Sequence, residues 1–431
     1  MGRKKIYQKD LGYDILKPII DCTVKNSYRR ISVKGMENIP TDGAVILAPN
    51  HCNTLMDALV VLRSDRRAKV FGARADMFNI KLVAKIMYFL RILPMVRQRD
   101  GLRNVLKNKD TEEIIVETLE HKVPFCIFPE GKHRPAHSLQ ILGKGIFRAA
   151  LSANARFGEK MPVYIVPVGI EYGDYFRYRS TSLVTFGEAL NVTEFIKTLD
   201  VENEAQMMDP LRKELTRRMS ELITYIDFNE DYDGKWTLTK LLALGFHGTL
   251  EEQKNNNKRI LADIEQKYEK HPEQMKELLD KAARFDKTRR KKGVSIYSFT
   301  AKNSCVRIAL KALAALVALP GFLLSAIIAL PMWGTFEILK TIIRDKAFRN
   351  TAAFGVKLVG SLIFTIIWAI VAFSIASWPY ALAFTLLTLP TYSYFYDYKE
   401  FMRRFISDIN LASNRKLKEF KNEIINAYKN L

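Results

Sequence analysis

The chain has 431 residues, 48% of them hydrophobic and 26% charged, and a formal net charge of +21 at pH 7. That length suffices for two or three structural units with real cores, and so large a positive surplus implies an anionic partner: nucleic acid, an acidic membrane face or phosphorylated substrates. The sequence shows no zinc-finger spacing or other nucleic-acid recognition module, whereas long uncharged runs after residue 303 favour the membrane. Cys22, Cys52, Cys126 and Cys305 are scattered without metal-ligand spacing and read as free thiols of a reducing compartment. The basic stretch "MGRKKIYQKDLGYDILKP" lacks the apolar core of a secretory signal, and Gly2 is not followed by the Ser or Thr of a myristoylation site.

Residues Asp14–Tyr28 are expected to form a first helix, with Ile15, Ile19, Cys22 and Val24 roughly on one side. "RRISVKGMENIP" reads as a strand and turn. "GAVILAPN" is almost wholly apolar, as a strand covered on both faces must be. "NTLMDALVVLRS" follows as a helix with Asn53 as its expected N-cap. The alternation continues through strand "AKVFGARA", helices "NIKLVAKIMYFLR" and "TEEIIVETLEH", strand "VPFCIFPEG", helix "LGKGIFRAALSANAR" and strand "MPVYIVPVGI". Strands alternating with helices over residues 28–190 predict an α/β fold: a mixed, largely parallel sheet flanked by helices.

Residues 198–300 read as mostly helical, with a break at Pro272. The basic cluster "KTRRKKG" leads into the apolar region. Ala312–Pro331 carries no charge, which just suffices for one helical span, although Pro320-Gly321 in its middle equally allows a kink or a re-entrant hairpin. Leu358–Phe395 is longer than one span and is broken at Trp378-Pro379. Lys and Arg cluster before residue 303, between Lys340 and Lys357, and after Lys399; the positive-inside rule would put all three clusters on the cytoplasmic side, which favours hairpins. The expected organisation is a lead-in over residues 1–30, an α/β domain over 31–195, a charged helical region over 196–302, membrane hairpins over 303–397 and a basic helical tail over 398–431. The tail fits either the membrane surface or the protein's own surface.

The chemistry-bearing residues fall where strands end. His51 directly follows "GAVILAPN", and Asp57 lies in the first turns of the next helix. An imidazole can act as a base at cellular pH, and a carboxylate beside it fixes its tautomer and stabilises its protonated form. By itself such a pair is more often structural than catalytic. "FPEGKHR", Phe128–Arg134, ends another strand: Glu130 could anchor a loop or a substrate hydroxyl, and Lys132, His133 and Arg134 could meet a phosphate. Arg97 and Arg99 in "LPMVRQRDG" match phosphate through paired donors, although any such cluster also fits a solvated surface. With no GxSxG elbow, no HExxH and no carboxylate cluster for two metals, the residues point to general-base activation of a hydroxyl, with no metal or cofactor expected.

"PNHCNTLMD", "LPMVR", "FPEGKHR" and "VPVG" (Val166–Gly169), followed in that order, resemble the four blocks of the glycerolphosphate acyltransferase family, the PlsC-like enzymes, over roughly residues 30–190. "ILGKGIFRAA" resembles the family's segment after its third block. The resemblance implies a roughly parallel α/β domain at a membrane surface. It would transfer a fatty acyl group from acyl-CoA or acyl-carrier protein to a glycerophosphate hydroxyl. It also implies His51 as general base, Asp57 as its orienting partner, Arg97 as holder of the acceptor phosphate, Glu130 and Gly131 as shapers of the acceptor site, and Pro167 as part of the acyl-side wall. Three features depart from the pattern. Five residues rather than four separate His51 from Asp57, as in a eukaryotic branch that acylates glycerol 3-phosphate or dihydroxyacetone phosphate. Val96 stands where an aspartate is common, and His133 stands where the third block has arginine, with Lys132 and Arg134 on either side. The expected function is acylation of 1-acyl-sn-glycerol 3-phosphate to phosphatidate at the cytoplasmic face of a membrane, with anionic lipid as a further partner. The alternatives are acylation of glycerol 3-phosphate, and a non-catalytic membrane scaffold with a degenerate acyltransferase domain.

Overall fold

A computed structural model of the chain describes residues 5–95, 105–177, 179–201, 203–300 and 305–431. The chain divides into two compact units, Met1–Tyr225 and Ile226–Leu431.

In the first unit the elements run α1 (Leu11–Ser27), β1 (Arg30–Lys34), β2 (Ala44–Pro49), α2 (Leu55–Arg63), β3 (Val70–Arg74), α3 (Lys81–Phe89), β4 (Ile92–Met95), α4 (Val105–Glu120), β5 (Phe125–Cys126), α5 (Gly145–Phe157), β6 (Val163–Tyr172), β7 (Thr181–Phe186), β8 (Leu190–Asn191), α6 (Val192–Lys197) and α7 (Glu204–Leu222). One sheet takes the order β1-β7-β6-β2-β5-β3-β4, with β8 also paired to β6. β6, β2, β5, β3 and β4 are mutually parallel, while β7 runs antiparallel to β6 and carries β1 at the edge. The apolar run of β2 is explained by its place between β5 and β6: all six of its residues are buried. Ile46, Phe125, Phe147, Ile165 and Leu215 share the core that joins this sheet to α4, α5 and α7.

The mixed, largely parallel sheet is as the sequence predicts, but three strands escape the hydrophobic pattern. β4 is four residues and β8 two, too short for a period to register. β7 follows a polar loop and alternates weakly. α2 starts later than expected: its N-cap is Thr54, because Asn53 spends its backbone N–H on Asp57 and its side-chain amide on the carbonyl of Tyr175.

The second unit is helical. α8 (Tyr232–Leu242), α9 (Leu250–Lys270) and α10 (Pro272–Lys291) are followed by α11 (Cys305–Ile342), α12 (Lys346–Gly355), α13 (Ser361–Ile375), α14 (Trp378–Ala412) and α15 (Arg415–Lys429). Pro272 separates α9 from α10, and Trp378-Pro379 opens α14, where proline at the first turn costs no hydrogen bond. α8, α10, the loop residue Ile296 and α15 share a core that includes Leu278, Phe285, Leu417 and Ile424. The tail helix α15 therefore packs on the protein. Pro320-Gly321 opens no hairpin: α11 is one helix of 38 residues. Near its prolines, the Tyr398 and Tyr394 hydroxyls donate to the carbonyls of Ala315 and Ala318, and the Trp368 indole to that of Ile328. Cys305–Ile342 and Lys346–Ile375 are long and apolar enough to cross a membrane.

Candidate active site

Parallel pairing brings the C-terminal ends of β2, β5, β3 and β6 to one edge of the sheet, the edge where open α/β sheets bind ligands. His51 lies just beyond β2 there. Asn50 fixes this exit by imitating a strand: its side chain accepts from the Ile170 N–H (2.6 Å) and donates to the Ile170 carbonyl (3.2 Å).

His51 Nδ1 lies 2.8 Å from Asp57 Oδ2. Asp57 is fully buried and yet well provided. Oδ2 also accepts the backbone N–H groups of Cys52 (2.8 Å) and Asn53 (2.6 Å), and Oδ1 accepts the Tyr172 hydroxyl (2.8 Å). A buried carboxylate needs several donors to remain ionised, and its place in the first turn of α2 adds the favourable end of the helix dipole. Tyr28 stacks on Tyr172 at 5.8 Å between ring centroids. Burial pushes the Cys52 thiol well above its ordinary range, with the Asp57 charge adding to the effect, so Cys52 is a neutral packing residue. Burial and the Asp57 charge likewise keep the Tyr172 phenol protonated as a donor. Among the described residues Nε2 of His51 has no partner, and the ring is 18% exposed.

Between His51 and Asp57 the chain turns at Thr54, whose backbone sits at φ 48°, ψ −128°. A β-branched residue rarely adopts such a conformation. The turn then returns Asp57 to hydrogen-bonding distance despite the six-residue separation.

The second loop closes over the first. Glu130 Oε1 accepts the His51 N–H (2.7 Å), and Oε2 accepts the backbone (3.0 Å) and side-chain (3.2 Å) N–H groups of Gln140. Burial raises the Glu130 carboxyl above its usual range, opposed by these bonds. Gly131 turns the chain at φ 64°, a left-handed value suited to glycine. The Arg134 N–H donates to the His51 carbonyl (2.9 Å), while its guanidinium turns back to Ser138 Oγ (2.6 Å) and the Leu139 carbonyl (3.0 Å). Lys132 is exposed, and the His133 ring meets the His51 ring edge-on at 5.8 Å. His51, Asp57, Glu130, Gly131, Lys132 and Arg134 thus belong to one interlocked pair of loops. Pro167 does not join them: it pairs with Ala48 inside the sheet, below the mouth. Proline is tolerated there because its carbonyl accepts from Gly187, in the gap between β7 and β8, so the side where an N–H would point carries no regular ladder. Arg97 and Arg99 lie outside the described residues.

Sequence reasoning missed Asn50, Tyr172, Gln140 and a buried pair behind the loops, His137 Nδ1 and Glu171 Oε2 at 3.5 Å. Tyr172 and Glu171 end β6 at the catalytic edge, so their strand position was the available signal. Burial alone would raise the Glu171 carboxyl; bonds from His137 and from the Thr224 N–H hold it below its ordinary range.

Residues 30–171 match the model of the family described as Acyltransferase. Among solved structures, the chain is similar to the 1-acyl-sn-glycerophosphate (LPA) acyltransferase PlsC from Thermotoga maritima, with 21% identity over 50% of this chain and 83% of that one and a TM-score of 0.34. No curated protein matches the chain.

Proposed function

We propose, from the match of residues 30–171 to the acyltransferase family model, that the chain moves a fatty acyl group from acyl-CoA or acyl-carrier protein to the free hydroxyl of 1-acyl-sn-glycerol 3-phosphate. The observation that carries this reading is His51, held by Nδ1 on a buried, four-donor carboxylate, with Nε2 unpartnered among the described residues.

In this reading Nε2 takes the acceptor's hydroxyl proton as the oxygen attacks the thioester carbonyl. The Asp57 charge stabilises the imidazolium that forms. The tetrahedral oxyanion collapses, the carbon–sulfur bond breaks, and His51 returns the proton to the leaving thiolate. Glu130 and Gly131 act as positioning residues that set the backbone around His51. Lys132, Arg97 and Arg99 supply positive charge for the acceptor phosphate, and Arg134 orders the loop that carries Lys132. Pro167 supports the acyl side from within the sheet. The two apolar helices would hold the enzyme at the cytoplasmic face of a membrane, where its positive charge attracts anionic lipid.

A second acceptor, glycerol 3-phosphate, is favoured by one feature: the lengthened His51–Asp57 connection, which turns at Thr54. The test uses purified protein in anionic vesicles, a labelled acyl thioester and each acceptor in turn, beside His51→Ala. Phosphatidate formed only by the unaltered protein supports the first reading, and lysophosphatidate made from glycerol 3-phosphate replaces it with the second. Turnover by His51→Ala equal to that of the unaltered protein removes His51 as the base. Lipid binding without turnover on any acceptor would leave a non-catalytic scaffold.

A further inference from the structure

The loop that follows β5 grips His51 closely. Phe128 lays its ring 4.4 Å from the His51 ring, Glu130 accepts the His51 N–H, and the Arg134 N–H donates to the His51 carbonyl. The Arg134 and Gln140 side chains bond within the loop itself, to Ser138, Leu139, Glu130 and the Lys132 carbonyl. His137 ties this loop to the end of β6, through Nδ1 at 3.5 Å from Glu171 Oε2. Both residues are buried, 6% and 4% exposed. The other Glu171 oxygen accepts the Thr224 N–H, just past α7. The His137 ring also lies 5.3 Å from the Tyr175 ring, and the Tyr175 carbonyl accepts the Asn53 side-chain amide. Three successive residues of β6 thus each hold a different part of the site. The Ile170 backbone holds Asn50, Glu171 holds His137, and the Tyr172 hydroxyl holds Asp57.

Stability alone does not account for the pair. Desolvating two charged groups is costly, and apolar residues of the same volume often serve a core as well. What a buried ion pair adds over apolar packing is direction. We infer that His137 and Glu171 are positioning residues: they fasten the loop bearing Glu130 and Arg134 to β6, and so set where His51 Nε2 stands at the sheet edge. They act through the His51 backbone, which that loop holds at both its N–H and its carbonyl. The kinetic consequence rests on the proposed role of His51 as base; the placement of the ring does not.

The test uses the full chain with three substitutions. His137→Ala removes the side chain. His137→Phe keeps a ring against Tyr175 without the nitrogen, and carries the comparison should His137→Ala fail to fold. His137→Asn restores a donor near the Nδ1 position. Two readings are taken on each protein that melts above the assay temperature. One is kcat and KM in the vesicle assay. The other is the rate at which diethyl pyrocarbonate modifies His51, followed by peptide mass spectrometry with exposed His121 as internal reference; it needs no substrate. A displacement of about 1 Å at a reacting group can cost about a hundredfold in rate. His137→Ala and His137→Phe should therefore lower kcat by about tenfold to about a hundredfold, with KM within about threefold. Both should also change the His51 rate relative to His121, and His137→Asn should restore both readings. Unchanged kcat and unchanged His51 modification overturn the inference, and so does a fall in kcat that leaves His51 modification unchanged. His51 modification that changes and is rescued by Asn, with no turnover even by the unaltered protein, supports the positioning and removes the proposed acyl transfer instead.

Discussion

Asp57→Asn separates the charge of the buried carboxylate from its geometry. The amide oxygen can replace Oδ2, where His51 Nδ1 and the N–H groups of Cys52 and Asn53 converge, while the amide NH2 takes the Oδ1 position and donates to the Tyr172 oxygen. The three N–H donors at Oδ2 keep their acceptor, and the phenol can rotate to accept from the amide, giving up its own bond to Oδ1. The fold and the imidazole tautomer should therefore survive. What disappears is the attraction between Asp57 and the imidazolium that forms during transfer. Unit charges about 4 Å apart at an effective dielectric of about 20 attract by about 4 kcal/mol. At about 1.36 kcal/mol per decade this is about a thousandfold in kcat. Continuous detection of the released thiol gives kcat, and thermal unfolding checks integrity. A variant that melts normally and keeps kcat within tenfold of the unaltered enzyme would refute a role for the Asp57 charge, and with it the catalytic reading of the pair.

Tyr172→Phe leaves Asp57 Oδ1 with only the weak Cys52 thiol donor, so it should lower stability by about 1–3 kcal/mol, read by denaturant unfolding, with a smaller loss of kcat than Asp57→Asn. Thr54→Gly removes strain at φ 48° without touching a hydrogen bond of Asp57; it should raise the melting temperature, gaining about 1–3 kcal/mol, and leave kcat within a few-fold. An equal or lower melting temperature would deny that Thr54 stores strain. Acid stability follows from carboxyls held low in the fold. The Arg217 hydrogen bond brings half-buried Glu214 to about 2. Asp65 and Glu171 are raised by burial but brought lower by Lys69 and His137 respectively. A depressed carboxyl contributes stability above its unfolded value of about 4 and loses it as pH falls through the folded value. The melting temperature should therefore fall from about pH 4 downward, and Glu171→Gln should flatten that slope; Glu130, raised by burial, works in the opposite sense.

The sheet was legible because burial on two faces leaves a plain mark. β2 and β6 are nearly continuous apolar runs, and they proved to be neighbours. The break at Pro272 was legible because proline at a first helical position is a local rule. Pro320 was not, because whether proline breaks an apolar helix depends on packing from elsewhere in the chain, and tyrosines some 80 residues away meet α11 beside it. The candidate site divides on the same line. His51, Asp57, Glu130 and Gly131 announce themselves through position at strand ends. Asn50 and Tyr172 also stand at strand ends, but what they do, like Gln140, is make a hydrogen bond to a residue distant in sequence or to backbone, which the sequence does not display.

The His51–Asp57 spacing shows the limit most clearly. Six positions cannot put two side chains together on one regular helix, and the number alone would argue against a working pair. The chain meets the requirement by starting α2 only at Leu55, after a turn with positive φ at Thr54, and by letting two backbone N–H groups from that turn converge on Asp57 Oδ2. The turn is thus part of the carboxylate's solvation as well as a connector. A change in its length need not separate the pair so long as some residue accepts the unfavourable φ and the N–H groups still point inward. A longer turn does alter the surface beside His51, by placing Leu55 exposed at the start of α2. That makes the acceptor, which must approach His51 from outside, more sensitive to the extra residue than the proton transfer itself.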